Sequence, residues 1–163
     1  MKTLITGGKS AQSLKLLKAF SGDQVFLGDY GEAPSFSSPQ YQFITLGELN
    51  KDIIAHNLLN ICLDLGADRL LPLYDFEVEA VAKSAVLFEE YNVHILLPHL
   101  DIFARYPLNG AVNKQNWALY DKGELIYAAI PQPALVTAGK DLNGVFYMEE
   151  NGDIFNPILF TIS

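Results

Sequence analysis

The sequence predicts an α/β fold, an open parallel sheet with helices on both faces, followed by a short β-rich extension. Three observations carry this expectation. Over the first hundred residues, apolar runs of strand length alternate with amphipathic helical stretches. The first of those runs leads straight into Gly7-Gly8, the kind of turn that a strand-to-helix unit needs. Beyond Pro107-Leu108-Asn109-Gly110 the alternation stops and short β-prone segments follow one another.

The elements can be justified in order. Thr3 to Thr6 is the first strand, and Ser10 is placed to cap a helix whose inward stripe is Ala11, Leu14, Leu17 and Phe20. Gly22-Asp23 turns the chain into a second strand, Gln24 to Leu27, that ends in Asp29. Gly31 to Pro39 is loop by composition, and Tyr41 to Thr45 is short and β-prone. A helix follows over Asn50 to Leu65, with Ile54, Leu58, Ile61, Cys62 and Leu65 on one face and Gly66 as its C-terminal cap. Arg69 to Leu73 reads as a buried parallel strand. Asp75 is placed to cap the next helix, whose apolar face is Val78, Val81, Ala82, Ala85 and Val86. His94 to Leu97 is a further strand closed by Pro98. A short helix is expected over Asn113 to Tyr120, then strands at Leu125–Ala129, Leu135–Ala138, Val145–Glu149 and Ile154–Ile162, with Asn151-Gly152 as a hairpin signal. The expected division is therefore an α/β domain over 1–110 and a helix plus β-rich extension over 111–163.

Composition excludes several classes of function. Half of the 163 residues are hydrophobic, enough for a real core. The net charge of −8 repels phosphate backbones, so no nucleic-acid partner is expected. No apolar run of about 18 residues is present, so no membrane span is expected. The start lacks an apolar segment behind a basic head, and Cys62 is the only cysteine; both fit a cytoplasmic location.

Gly7-Gly8-Lys9-Ser10 suggests a phosphate-binding loop, but that loop needs a glycine five positions before Gly8, where Thr3 stands. A dinucleotide reading pairs this turn with Asp29, an acid at the end of strand two that would bind a ribose; the later glycines of that fingerprint are absent. The plain alternative is a tight turn. Tyr74, Asp75 and Glu77 follow the carboxyl end of a strand, where open α/β sheets bind ligands, although acids also cap helices there. His56, His94 and His99 lack metal-ligand spacing, and no nucleophile motif occurs, so no catalytic residue and no metal site are assigned. Phe146, Tyr147, Phe155 and Phe160 pack in a core or serve self-association.

Four pieces stand in a telling order: Leu4-Ile5-Thr6-Gly7-Gly8; Asp29 with a Ser/Pro-rich loop behind it; Ala67-Asp68-Arg69-Leu70-Leu71-Pro72 ahead of Asp75 to Glu79; and Asn113 to Tyr120 ahead of Ile130-Pro131-Gln132-Pro133. Over residues 1–138 this order resembles the N-terminal, Rossmann-like pre-ATP-grasp domain of ATP-grasp enzymes, in particular carbamoyl-phosphate-synthase-like and carboxylate–amine ligase members. In that family a following module supplies lysines for ATP phosphates and acids for magnesium. Residues 134–163 are too few to hold it, although Asp153-Ile154-Phe155-Asn156-Pro157 is similar to the family's magnesium strand.

The resemblance implies a stand-alone, truncated front domain, non-catalytic alone, that binds a small metabolite or a partner ATP-grasp ligase. Gly7, Gly8, Lys9, Ser10, Asp29, Tyr74, Asp75 and Glu77 are the candidate ligand-binding residues. No cofactor is assigned; a nucleotide is the class that the opening turn admits. The alternatives are a degenerate NAD(P)- or nucleotide-binding Rossmann protein and a structural module that self-associates as a homodimer through its C-terminal strands. A small ATP-dependent ligase using Lys114 and Asp153 ranks behind these.

Overall fold

A computed structural model describes residues 1–101, 114–130, 142–151 and 154–163. The chain divides into two units, one of residues 1–95 with Ile162–Ser163 and one of residues 96–161. The boundary expected at 110/111 and the strand expected at Leu135–Ala138 lie outside the described residues.

The first unit is built on five strands, β1 (Lys2–Ile5), β2 (Gln24–Asp29), β3 (Tyr41–Thr45), β4 (Arg69–Leu71) and β5 (His94–Ile95). They lie in the order β3-β2-β1-β4-β5, and every pairing is parallel. The chain steps outward from β1 to β3, then returns to the other side of β1 for β4. That reversal makes the gap between the carboxyl ends of β1 and β4 the place where open α/β sheets take ligands. Flanking helices are α1 (Ala11–Leu16), which tightens into a 3₁₀ turn over Leu17–Phe20, α2 (Ile54–Leu65), α3 (Asp75–Lys83) and α4 (Ala85–Glu90). Leu4, Ile5, Val25, Leu27, Leu58, Leu70, Val78 and Val81 form the core between sheet and helices.

Several local expectations hold in detail. Ser10 caps α1, its hydroxyl accepting from the Ser13 N–H at 3.2 Å. Gly66 ends α2 in the left-handed region at φ 68°, where its N–H reaches the Leu63 carbonyl. Cys62 is a buried core residue, its thiol pushed up to about 12 by burial.

Others are corrected. Leu14 is 43 % exposed and Ala11 is exposed; α1 is six residues long, and Ser13 and Leu16 face inward instead. The helix ahead of Gly66 begins at Ile54, four residues after Asn50. The helix after β4 breaks at Ser84, so Val86 is 71 % exposed and Phe88 of α4 fills the core. Asp75 is not a cap: Tyr74 holds that position, and Glu77 reaches back to accept from the Tyr74 N–H at 3.2 Å.

The second unit holds an antiparallel sheet of β6 (Trp117–Asp121), β7 (Glu124–Ala128), β8 (Gly144–Asn151) and β9 (Ile154–Leu159), ordered β7-β6-β8-β9. The helix expected over Asn113 to Tyr120 is therefore a strand in its described part. Trp117 to Tyr120 are all buried, and a run buried at every position shows neither helical nor strand periodicity. Asn151 pairs opposite Ile154, as the hairpin signal requires; residues 152–153 lie outside the described residues. Phe146, Tyr147 and Phe160 are buried, with Tyr147 and Phe160 stacked at 4.5 Å. No helix among the described residues is long and apolar enough to cross a membrane.

Gly8 sets how closely the β1–α1 turn approaches β2. A Cβ there would lie 2.6 Å from the Leu27 backbone carbon and 2.8 Å from its Cβ. Backbone cannot give way as a flexible side chain can, so Gly8→Ala is expected to lose about 1–3 kcal/mol of stability. Urea unfolding checks this, and an unchanged midpoint would refute it.

Candidate functional site

The carboxyl ends of β1, β2 and β4 bring Thr6, Asp29, Tyr30, Tyr74 and Glu77 together. Strand alternation and sheet order explain why. Thr6 directly follows β1, Asp29 ends β2 with Tyr30 behind it, and Tyr74 and Glu77 open α3 beyond β4. Of the expected residues, Asp29, Tyr74 and Glu77 meet side chain to side chain; Lys9 joins through its backbone.

Two buried carboxylates are cross-linked by two tyrosines. Tyr30 donates its N–H to Asp29 at 2.8 Å and its hydroxyl to Glu77 at 2.6 Å. Tyr74 does the reverse, donating its N–H to Glu77 at 3.2 Å and its hydroxyl to Asp29 at 2.7 Å. Glu77 also accepts from the Thr6 hydroxyl at 2.5 Å, and that hydroxyl accepts the Leu73 N–H at 2.7 Å. Asp29 takes the Lys9 N–H at 3.0 Å. Tyr74 and Phe76 stack at 4.9 Å, Tyr30 packs 6.1 Å from Phe76, and the Lys51 ammonium lies 5.2 Å from the Phe76 ring centre.

Burial dominates the electrostatics. Glu77 is fully buried, and desolvation raises its carboxyl from 4.5 to about 7, against the donors Thr6, Tyr30 and Tyr74, with the Asp29 charge adding to the rise. Burial, reinforced by the carboxylates they bond, pushes the Tyr30 and Tyr74 hydroxyls well above the usual phenol range. Both tyrosines therefore stay protonated donors.

The glycine turn is occupied from within. The Gly8 N–H bonds the Gly28 carbonyl at 2.9 Å, the Lys9 N–H bonds Asp29, and the Ser10 N–H bonds the Gly7 carbonyl at 2.9 Å. Three consecutive amides that could cradle an anion are spent inside the chain, one of them on Asp29 itself. The Lys9 ammonium reaches the Tyr30 carbonyl at 2.9 Å. Gly7 adopts φ 66°, and Ser10 works as a helix cap. Asp75 contributes its backbone N–H, which donates to the Ile162 carbonyl at 2.9 Å.

Sequence reading missed Thr6 and Tyr30 as members of this cluster, and Lys51 beside it. Thr6 and Tyr30 each sit one residue past a strand end, and that rule alone could have found them. A second feature also escaped it, an open groove of about 540 Å³ lined by Gly31, Glu32, Ala33, Thr45, Gly47 and Glu48 at the carboxyl ends of β2 and β3. Among the described residues no three His, Cys, Asp or Glu are grouped to hold a metal ion.

Two predictions come from the cluster. Between about pH 4.5 and 7 the folded chain retains a proton on Glu77 that the unfolded chain releases. Stability from this group is full below pH 4.5, falls as pH rises to 7, and is flat above; the loss is on the order of 3 kcal/mol. Glu77→Gln is expected to remove that slope, measured as the difference in urea midpoint between variant and parent from pH 5 to 8. A parallel pH dependence in both would contradict the assignment. Tyr74→Phe deletes a bond to a buried carboxylate and is expected to cost about 1.5–3 kcal/mol at pH 7. Combined with Asp29→Asn the two losses should fall short of additivity, as a double-mutant cycle would reveal.

The sequence matches no protein-family model and no curated protein. Solved structures do match. Urea carboxylase from Kluyveromyces lactis is similar over 99 % of this chain and 20 % of that one, at 11 % identity and TM-score 0.53. Urea amidolyase from K. lactis is similar over 99 % of this chain and 13 % of that one, at 10 % identity and TM-score 0.52. A biotin carboxylase complex from Campylobacter jejuni covers 66 % of this chain and 25 % of that one, at 15 % identity and TM-score 0.49. The chain spans about a quarter or less of each of these proteins. At such identities the likeness is one of fold. With the parallel order β3-β2-β1-β4-β5, it gives the chain an open parallel, Rossmann-like α/β fold that recurs within urea carboxylase and urea amidolyase.

Proposed function

We propose that this chain is a pre-ATP-grasp-like binding scaffold, non-catalytic by itself, whose principal partner is an ATP-grasp ligase. The observation that carries this reading is that the crevice beyond β1 and β4 is furnished from within. Asp29 and Glu77 accept six protein donors between them, and the amides of Gly8, Lys9 and Ser10 are bonded internally. Groups arranged for general acid–base work or phosphate capture would instead point into open space. What the unit presents beside the crevice is a half-buried aromatic face of Tyr74 and Phe76 with Lys51 over it, a surface suited to protein contact.

The burial of Asp29 argues against the dinucleotide alternative: it is 4 % exposed, and Lys9, Tyr30 and Tyr74 already take three of its carboxylate's acceptor sites. A small metabolite remains a second reading. The groove at β2 and β3 favours it, since the α-carbons of Gly31 and Gly47 face open space and leave backbone accessible to a ligand. Self-association through the C-terminal strands draws less support, because Phe146, Tyr147 and Phe160 are already buried.

The purified chain with magnesium and ATP is expected to show no hydrolysis above buffer, with or without small carboxylates. An ATP-grasp ligase encoded beside it is expected to co-elute with it and to raise its melting temperature. Unaided ATP turnover abolished by Lys114→Ala would overturn the scaffold reading. A thermal shift with a small carboxylate, lost on Gly47→Val, would move the function to the groove.

A further inference from the structure

We propose that the outer edge of the first unit's sheet, β3 with the Phe36 loop folded against it, is the contact by which two copies of this chain pair. β3 ends the sheet on its side, beyond β2. The last five residues of β2 are buried, whereas no residue of β3 is. Tyr41, Phe43 and Ile44 are only half-covered, and Phe36 is 61 % exposed. The aromatic rings form one run: Phe36 lies 6.1 Å from Tyr41, and Tyr41 meets Phe43 edge-on at 5.7 Å. Open sheet edges invite another strand, and proteins block them. Here the loop does so itself, through an antiparallel bridge from Ser37 to Gln42 and the Ser38 N–H donated to the Tyr41 carbonyl at 2.9 Å. What remains to be covered over this stretch is side chain rather than backbone.

Charge selects the occupant. No charged residue and no histidine stands between Glu32 and Glu48 in sequence, in a chain of net charge −8. Two copies of so acidic a chain repel, and they do so least where the touching surfaces carry no charge. A twofold contact uses the same patch on both copies, so that patch must complement itself. Hydroxyls and carboxamides both donate and accept, so the exposed Ser35, Ser37 and Gln42 can meet their own kind, as aromatic rings can. Another exposed apolar patch on this unit, Val86 and Leu87 of α4 with Tyr91 after it, lacks this property. Glu89 and Glu90 lie exposed within the same short stretch and would face carboxylates of the other copy. The pairing goes beyond the scaffold reading and does not depend on it: a ligase that fails to co-elute leaves it standing.

Sedimentation velocity on the full chain tests the pairing. From about 10 to about 500 µM, wild type should pass from monomer to dimer, and Phe36→Asp should dimerise at least about tenfold more weakly. Should Phe36→Asp unfold, Phe36→Ser is the milder change. Val86→Asp should leave the dimer intact. Raising the salt from about 50 to about 500 mM should strengthen the dimer, because it screens the repulsion between two acidic copies. A wild type that is monomeric throughout, a dimer that Phe36→Asp leaves unchanged, or one that Val86→Asp or added salt dissolves would each overturn the proposal. A monomeric wild type whose ligase is lost on Phe36→Asp would also overturn it, and would give this face to the ligase.

Discussion

The crossed pairing of two tyrosines with two buried acids is the constraint on which the first unit rests. Each tyrosine spends its backbone N–H on one carboxylate and its hydroxyl on the other, so the end of β2 and the start of α3 cannot move independently. Thr6 adds β1 through its bonds to Glu77 and Leu73. A network of this kind carries more than its pairwise bonds suggest, because its two carboxylates are buried and each donor withdrawn leaves more of their desolvation cost uncompensated. It also positions acids at a cost: Glu77 sits where its charge is disfavoured, and three donors only partly offset the desolvation.

The geometry turns ligand-binding equipment inward. A strand-to-helix turn rich in glycine normally leaves amides facing an anion, and an acid at the end of the second strand normally faces a sugar. Here the acid is the anion. Asp29 accepts the Lys9 amide, and the neighbouring amides close on carbonyls of the turn and of β2. The sheet order and the helix starts of a nucleotide-type fold are kept while the space between them is filled by the protein's own groups. A likeness of fold to urea carboxylase therefore says nothing by itself about how this crevice is used.

Much of the fold was legible because short-range rules decide it. Tyr41–Thr45 is a strand with the expected bounds, Gly66 is a left-handed cap, and Ser10 caps α1, each fixed by propensity or by a backbone angle that few residues adopt. Errors arose where local signals were outvoted. Leu14 lies on a helical stripe only if α1 runs on, but the 3₁₀ turn at Leu17 rotates the face. Val86 lost its burial to the break at Ser84. Trp117–Tyr120 sits between two antiparallel neighbours, a tertiary fact that no window of sequence contains. The site was half legible: Asp29, Tyr74 and Glu77 follow from strand ends, whereas the pairing of Tyr30 with Glu77 joins residues 47 apart and depends on sheet order alone.

The first unit is discontinuous in sequence, completed by Ile162 and Ser163 after the whole of residues 96–161. On the ribosome, those 66 residues take about 3–13 s to synthesise at 5–20 residues per second. Each nascent chain therefore has a period in which the parallel sheet can be assembled while its final bridge, which bonds Ile162 to Leu73 and Asp75, does not yet exist, and the Leu73 carbonyl and the Asp75 amide are met by water or by whatever emerges nearby.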